Sequence, residues 1–170
     1  MSDGTRPDCV ICRGGRGDKE LKRVAVWEDD LWRLTTSLQS EVLGFSYLEP
    51  RRHIPHVTDL DGEEAKTLGA TLARTTRVLK EVTGGDLVYV YVFGGGVPHL
   101  HLHLAPHRSG DALNDLMVRG AVEVQGLPSG VKRIVSKEFP PLPERELRAV
   151  AVRIRRRLSR DAARMARQSL

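Results

Sequence analysis

Three histidines alternate with three leucines in the segment His99–Leu104. Alternation with a period of two is typical of a β-strand with unlike faces, so we expect the imidazoles on one face and the leucines on the other. A strand rises about 3.3 Å per residue, which places neighbouring imidazoles roughly 6–7 Å apart. One metal ion cannot be bound by all three rings, because zinc–nitrogen bonds are only about 2.1 Å long. The three rings are therefore expected to divide structural, nucleophilic and proton-handling roles.

The middle ring of this row is the best placed for nucleophilic chemistry. A histidine nucleophile needs one free ring nitrogen, while an acceptor such as a backbone carbonyl holds the other and fixes the tautomer. A second imidazole can protonate a leaving group or stabilise phosphoryl oxygens. His101 has a ring on each side and is the predicted nucleophile, with His103 as the second group. Gly94–Gly96 lie just before the row, and the amides of such a turn can bind an anion, which favours phosphate chemistry.

The chain has two cysteines, Cys9 and Cys12, in a segment 1–20 that is predicted to be loop-like. A disulfide framework is not expected in a cytoplasmic chain. A thioredoxin-like redox pair is a second interpretation, but no strand precedes the pair and no helical pattern follows it. Half of a zinc site is the favoured interpretation, provided that two further ligands exist.

Length and composition predict a globular protein with one domain and an appendage. Of the 170 residues, 40% are hydrophobic and 29% are charged, which is the range of ordinary globular chains. No apolar run approaches the ~20 residues of a membrane span. The first sixteen residues are polar and lack the apolar segment of a signal peptide. We therefore expect a cytoplasmic protein with no membrane partner.

Positive charge is concentrated near the C-terminus. Lysine and arginine together number 27, against 22 acidic residues. In the last eighteen residues only Asp161 opposes a group of seven arginines: Arg153, Arg155, Arg156, Arg157, Arg160, Arg164 and Arg167. Such a cluster can bind phosphate or nucleic acid, but the more common explanation, a solvated helix face, is favoured.

Hydrophobic periodicity predicts short strands and two long helices. The predicted strands are Val24–Trp27, Leu31–Leu34, Val42–Leu48, Leu87–Phe93 and Ala121–Val124. A helix is predicted over 62–83, with Asp61 and Glu64 as a capping box and Gly84 as its end. The last helix is predicted to begin near Glu144.

The histidine row resembles the motif of the histidine triad (HIT) family, in which three histidines alternate with apolar residues, here as His99–Ala105. The segments Val26–Asp30 and Pro50–Ile54 resemble the family's opening strand and turn and its Pro-basic-basic-His-apolar segment. The resemblance covers roughly residues 9–108. It implies an α+β fold, with a mostly antiparallel sheet and a long helix packed on it, paired as a homodimer. We expect a HIT-like domain over 1–140, followed by an arginine-rich helical extension over 141–170.

The resemblance also implies an activity and a metal. Members of the family hydrolyse or transfer nucleotides, and the middle histidine forms a covalent nucleotidyl intermediate at the α-phosphate. The matching residue is His101, with His103 as a phosphate contact. One branch of the family binds structural zinc through a Cys-x-x-Cys pair, the histidine of the basic segment and the first triad histidine. These positions are Cys9, Cys12, His53 and His99. His56 is an alternative to His53, and His107 is expected in a surface loop, with a phosphate contact as the less favoured role.

Departures from the family pattern fall in the predicted substrate pocket. Ser37 stands where the family commonly places an acidic residue that binds the ribose hydroxyls. Gly95 and Gly96 replace Gln and Ser, which often contact the phosphate or the leaving group. Two alternatives to a nucleotide hydrolase or transferase therefore remain. One is an enzyme that uses the triad as a general acid and base on a non-nucleotide substrate, and the other is a non-catalytic dimer that binds nucleic acid or protein.

Overall fold

The computed structural model describes residues 4–93, 96–109 and 121–168. The main sheet contains five strands, which are β1 (Arg23–Glu28), β2 (Trp32–Ser37), β3 (Ser46–Pro50), β4 (Leu87–Tyr91) and β5 (Leu102–His107). Their order in the sheet is β1-β2-β3-β5-β4, and every neighbouring pair is antiparallel. A separate hairpin pairs β6 (Val122–Gly126) with β7 (Lys132–Ser136). The helices are α1 (Gly15–Glu20), α2 (Gly62–Thr83) and α3 (Glu144–Gln168), and Val57–Asp59 forms one turn of 3-10 helix. The predicted α+β class is confirmed.

One face of the sheet forms the core with α2 and α3. Leu34, Leu48 and Leu104 come from three adjacent strands and are fully buried. Each helix contributes an apolar stripe to this core. The buried residues of the two stripes are Val78, Leu79 and Val82 of α2 and Val150, Ala151, Ile154 and Leu158 of α3. Burying such side chains is the main favourable term in folding. Because α3 shares this core with the sheet, it packs on the rest of the chain, and the division into 1–140 and 141–170 stays a prediction.

The long helix α2 has the predicted bounds but not the predicted cap. It ends at Gly84, whose φ of 71° is left-handed, a conformation that glycine adopts without strain. Asp61 occupies the N-cap position, yet its side chain makes no capping hydrogen bond. The carboxylates of Asp61 and Glu64 both bind Arg52 instead. The capping box is therefore wrong, because charge-assisted bonds to a guanidinium replace those to the backbone amides.

The third strand begins later than predicted, and two elements were not predicted. The third strand begins at Ser46 and not at Val42, because the chain turns at Gly44 with a left-handed φ of 78°. A Cβ at Gly44 would lie 2.6 Å from Cγ2 of Thr83, so this turn needs a glycine. The predicted loop over 1–20 contains α1, and β7 was not predicted.

Two arginines of the C-terminal cluster attach α3 to the rest of the chain. Arg155 Nη2 donates to the Ala25 carbonyl oxygen at 2.6 Å. Arg157 forms an ion pair with Glu81 of α2 at 2.8 Å and another with Asp161. Among the described residues, no helix has the length and apolar character needed to cross a membrane.

Candidate active site and metal centre

The alternating row presents its histidines and leucines to opposite sides, but only part of it is a strand. Leu100, Leu102 and Leu104 are buried in the core. The ladder with β3 starts at Leu102, so the predicted strand is wrong over residues 99–101. There the Leu100 N–H donates to the Ile54 carbonyl oxygen at 2.7 Å. This stretch lies beside Pro50, which ends β3 and has no N–H to extend a ladder.

The first histidine of the row lies in a cluster of two thiols and two imidazoles. The cluster consists of Cys9, Cys12, His53 and His99, and its four candidate ligand atoms all lie within 4.8 Å of one another. The Sγ atoms of Cys9 and Cys12 lie 3.5 and 3.4 Å from Nδ1 of His99. The Cys12 Sγ atom also lies 3.5 Å from Nδ1 of His53. Two segments far apart in the sequence thus meet the histidine row at one point.

These separations fit a tetrahedral zinc ion. Bonds of about 2.3 Å to sulfur and about 2.1 Å to nitrogen give tetrahedral sulfur–nitrogen edges of about 3.6 Å. The second ring nitrogen of His99, Nε2, donates to the Pro50 carbonyl oxygen at 2.9 Å. That bond fixes the tautomer in which the Nδ1 lone pair points toward the cluster. The four side chains therefore suit a closed metal site with a supported ligand.

Burial shifts the cluster toward neutral forms in the absence of a cation. It lowers the pKa of His99 to about 4, although the hydrogen bond to Pro50 opposes this effect. Burial also lowers the pKa of His53 from its ordinary value. It raises the pKa of Cys12 to about 11. Both rings thus offer lone pairs at neutral pH, whereas a thiolate at Cys12 requires a nearby cation, and a bound metal ion is such a cation.

The N-terminal arm, residues 4–14, is packed against this cluster by α1. Cys9, Val10 and Ile11 are buried together with Val97, which lies just before the histidine row. Gly17 of α1 contacts the arm so closely that a Cβ there would lie 1.7 Å from the Val10 carbonyl oxygen. The arm therefore holds the two thiols in place through backbone packing.

The second histidine has the tautomer that a nucleophile needs. His101 Nδ1 donates to the carbonyl oxygen of His99 at 2.6 Å. Its Nε2 then carries the lone pair, and it makes no hydrogen bond to any described residue. The His101 and His103 rings are 5.1 Å apart, closer than the strand spacing predicts, with a tilt of 35° between them. The two rings therefore border the same space.

Aromatic rings hold His103 from both neighbouring strands. Tyr47 of β3 and Tyr91 of β4 lie opposite His103 in register. Their ring centroids are 5.2 and 5.0 Å from its own. Phe45 and Phe93 add edge-on contacts at 5.9 and 5.7 Å. Such contacts fix the plane of the imidazole without using a charged partner.

His101 and His103 border a cavity of about 200 Å³, which we call the triad cavity. Ser37 and Gly96 border it too, and their roles as substrate contacts stay predictions, whereas Gly95 lies outside the described residues. Ser37 is buried, and its Oγ accepts from the Gln39 amide at 3.2 Å. A larger cavity of about 320 Å³ lies elsewhere, beside the end of β5, and does not border the two rings. We place the candidate active site in the triad cavity because, among the described cavities, it alone is bordered by both His101, the predicted nucleophile, and a second imidazole.

Comparison with known proteins decides the family. The family model of the HIT domain matches residues 18–110. The chain belongs to the HIT family. The bis(5′-adenosyl)-triphosphatase of Dictyostelium discoideum is 28% identical over 102 residues, which is 56% of this chain and 68% of that protein. An uncharacterized HIT-like protein of Mycobacterium tuberculosis is 26% identical over 111 residues, 62% of this chain and 76% of its own length.

Solved structures agree on the fold. A Zn-bound HIT family protein from Mycobacterium smegmatis superposes with a TM-score of 0.59 and 22% identity, covering 91% of this chain and 96% of that one. A histidine triad protein from Bradyrhizobium japonicum gives a TM-score of 0.62 and 23% identity, covering 79% and 90%. At this identity the likeness shows the fold.

Two further histidines of this HIT protein lie apart from the candidate site. His56 is exposed at the start of the 3-10 turn and is not part of the four-residue cluster. His107 is the last residue of β5 and is buried, with its ring 5.2 Å from that of Tyr89. The predicted surface loop at His107 is therefore wrong, because β5 continues past the triad and pairs with β4.

Several residues that border the triad cavity were missed by the sequence analysis. Arg23 of β1 donates from Nε to Asp18 at 2.9 Å and from Nη1 to Glu49. Burial lowers the pKa of its guanidinium, but the two carboxylates outweigh that effect and the net shift is upward. Lys132 and Arg133 of β7 border the cavity from the separate hairpin. No motif links these residues to the histidine row, and β7 lies outside the part that matches the HIT domain.

Proposed function

We propose that this HIT protein is a nucleotide hydrolase or nucleotidyl transferase in which His101 attacks an α-phosphate. The observation that carries the proposal is the short bond from His101 Nδ1 to the His99 carbonyl oxygen. It leaves the Nε2 lone pair on a ring that borders an open cavity. A second imidazole stands 5.1 Å away, within reach of the same phosphoryl group. The relative from Dictyostelium that carries a nucleotide hydrolase name supports the class of reaction.

The proposed reaction has two displacements at phosphorus. In the first, the Nε2 lone pair of His101 forms a nitrogen–phosphorus bond, and the bond from phosphorus to the leaving group breaks with its electron pair on the leaving group. His103 donates a hydrogen bond to the phosphoryl oxygens or protonates the leaving group. In the second, water or an acceptor hydroxyl forms an oxygen–phosphorus bond and releases its proton to His103 or to solvent, while the nitrogen–phosphorus bond breaks with its electron pair on Nε2. The released product is a nucleoside monophosphate or its ester.

We propose zinc as the ion of the Cys9, Cys12, His53 and His99 cluster. The tetrahedral fit of the ligand atoms and the thiol chemistry support this assignment, as does the Zn-bound relative from Mycobacterium smegmatis. With four side-chain ligands the ion has no open coordination position, so it supplies structural support. It would join the N-terminal arm, the loop after β3 and the histidine row.

We propose that the protein is a homodimer. The strand β4 lies at the edge of the five-stranded sheet. It exposes Leu87 and Val90, and Val92 and Phe93 continue the apolar surface beyond it. An apolar edge strand is a template for pairing with another chain. Light scattering should give twice the chain mass, and a lysine at Val90 should convert the dimer to monomer, whereas a monomeric wild-type protein would reject the proposal.

The decisive experiment looks for the covalent intermediate. The protein is incubated with a panel of nucleoside polyphosphates and phosphoramidates, quenched with base to preserve the acid-labile phosphoramidate, and analysed by mass spectrometry. We expect a nucleotidyl adduct on His101 in the wild-type protein and none in His101→Asn. Turnover that persists in His101→Asn would reject the covalent mechanism.

The same experiment separates the alternatives. Turnover without an adduct would favour general acid–base catalysis by the triad. Salt-dependent binding of nucleic acid with no turnover would favour the non-catalytic dimer. Two arginines of the C-terminal cluster already bind groups within the chain, so we do not favour nucleic acid as the partner. The cytoplasmic location stays a prediction.

A further inference from the structure

Three positive side chains border the triad cavity, among apolar and aromatic ones. Its described lining includes Arg23, Lys132 and Arg133, and no carboxylate is among the described residues that border it. Ser37 occupies the position at which the family resemblance places an acidic residue. The negatively charged acceptor for ribose hydroxyls is therefore absent from this position, and cationic donors border the same space.

Arg23 brings an unused hydrogen-bond donor to this wall. Its side chain is 3% exposed, and Asp18 and Glu49 bind its Nε and Nη1 atoms. The remaining nitrogen, Nη2, is buried and has no partner among the described residues. The two carboxylates compensate the charge of Arg23 but leave this nitrogen free to donate. A buried donor without an acceptor is unfavourable, and an anion bound directly against the Arg23 guanidinium would satisfy it.

The hairpin supplies positive charge to the same wall. Lys132 is exposed and forms no ion pair with the described residues. Arg133 is held in place by hydrogen bonds, since its Nη1 donates to Gln39 Oε1 at 2.6 Å and its Nη2 to the Glu20 carbonyl oxygen at 2.9 Å. Charges of one sign along a cleft concentrate ligands of the opposite sign. A guanidinium is well suited to a phosphate group.

We propose that the triad cavity takes a substrate with two separate phosphate groups. One is the phosphate that His101 attacks, and for this group the inference rests on the proposed function. The other is bound by Arg23, Lys132 and Arg133, in the part of the cavity that the hairpin completes. The hairpin is thereby a specificity element that this chain adds outside the segment matching the HIT domain.

Equilibrium binding of matched ligand pairs tests the proposal. Isothermal titration calorimetry on the full wild-type chain compares adenosine 5′-monophosphate with adenosine 3′,5′-bisphosphate. A second pair, fructose 6-phosphate and fructose 1,6-bisphosphate, shows whether the ligand is a nucleotide or a simpler sugar phosphate. We expect the bisphosphate of at least one pair to bind about tenfold more tightly or better. A smaller preference in both pairs, or no binding by any of the four, overturns the proposal.

Two charge-reversal variants separate a specific contact from general attraction. Lys132→Glu should abolish most of the bisphosphate preference. Lys137→Glu makes the same change in net charge at an exposed lysine one residue beyond β7 that does not border the cavity, and the preference should stay within about twofold of wild type. Equal losses in both variants would reject the bound second phosphate. Binding requires no nitrogen–phosphorus bond, so a missing adduct on His101 would reject the covalent mechanism while leaving this measurement informative.

Discussion

The two ends of the histidine row differ in what surrounds the rings. His99 is 1% exposed and lies against two thiols and another imidazole, all supplied by loops. His101 and His103 are half-buried beside an open cavity, and aromatic side chains from adjacent strands hold the latter. The same residue type thus belongs to a closed candidate metal site at one end and to the proposed catalytic site at the other. The difference teaches that burial and partners, more than residue type, assign the role of each ring.

The largest expected effect is that of substituting His101 or His103, which form the open end of the row beside the triad cavity. His101→Asn removes the Nε2 nucleophile and should lower turnover by on the order of 10⁴-fold. His103→Asn should cost less, roughly 10²-fold, because it removes a supporting hydrogen bond or proton donor. Steady-state kinetics on the nucleotide that gives the adduct measures both. Metal content should stay at the wild-type value in both variants. A loss of metal in either would mean that metal binding at His99 depends on the side chains at positions 101 and 103.

The closed end of the row is the cluster around His99, and it is tested by removing the two thiols. The double variant Cys9→Ser, Cys12→Ser should lose about one zinc ion per chain and a few kcal/mol of unfolding free energy, about 10 °C in Tm for a chain of this size. Elemental analysis and thermal unfolding give the two values. The control variant His56→Asn should retain the metal, because His56 lies outside the cluster. Wild-type protein that binds no zinc would contradict this assignment.

A glycine pair tests whether the arm positions the closed end. Gly17→Ala places a Cβ against the Val10 carbonyl oxygen and should lower the unfolding free energy by about 2–4 kcal/mol, since the backbone must move. Gly15→Ala lies in the same helix with nothing within 4 Å of the added atom, and we expect a change within about 0.5 kcal/mol. Denaturant titration measures both. Similar values for the two variants would show that α1 does not hold the arm.

The smallest expected effect concerns the hairpin beside the open end. Hydrogen bonds from the side chain and the amide of Ser129 hold the pKa of Glu20 below its ordinary value of 4.5, and the amide donates to a Glu20 carboxylate oxygen at 2.6 Å. A lowered folded-state pKa contributes stability above the unfolded-state pKa, and that stability is lost as the pH falls through the folded value. The Ser129 amide chemical shift should therefore titrate below pH 4.5 in the wild-type protein but not in Glu20→Gln. In the control variant Glu138→Gln, which changes an exposed carboxylate, the Ser129 amide chemical shift should titrate as it does in the wild-type protein.

The sequence predicted the parts of this protein that depend on local patterns. The bounds of α2 follow from apolar spacing and from Gly84, which can adopt the left-handed end. The faces of the histidine row follow from its period of two. The capping box failed because Arg52, ten residues before the first turn, binds both carboxylates. No local pattern in the first turn could show that competitor.

The candidate site was predictable only where a motif reached it. Family resemblance named His53 as a partner of the cysteines, a pairing across forty residues that no periodicity could give. The hairpin wall of the triad cavity was missed, because Lys132 and Arg133 meet the histidines only through tertiary packing. The sequence did not distinguish Arg23 from any other strand residue, because only the folded chain brings Asp18 and Glu49 to it.

The hydrogen bond from His101 Nδ1 to the carbonyl oxygen of residue 99 does not depend on the side chain at position 99. The acceptor that sets the tautomer of the middle ring is a main-chain oxygen, which every amino acid carries. Position 99 can therefore change its side chain, and leave the metal cluster, without deleting the acceptor that selects the Nδ1–H tautomer of His101. Relatives that lack the cysteines can accordingly retain a working middle histidine, provided that some other packing keeps that peptide in place.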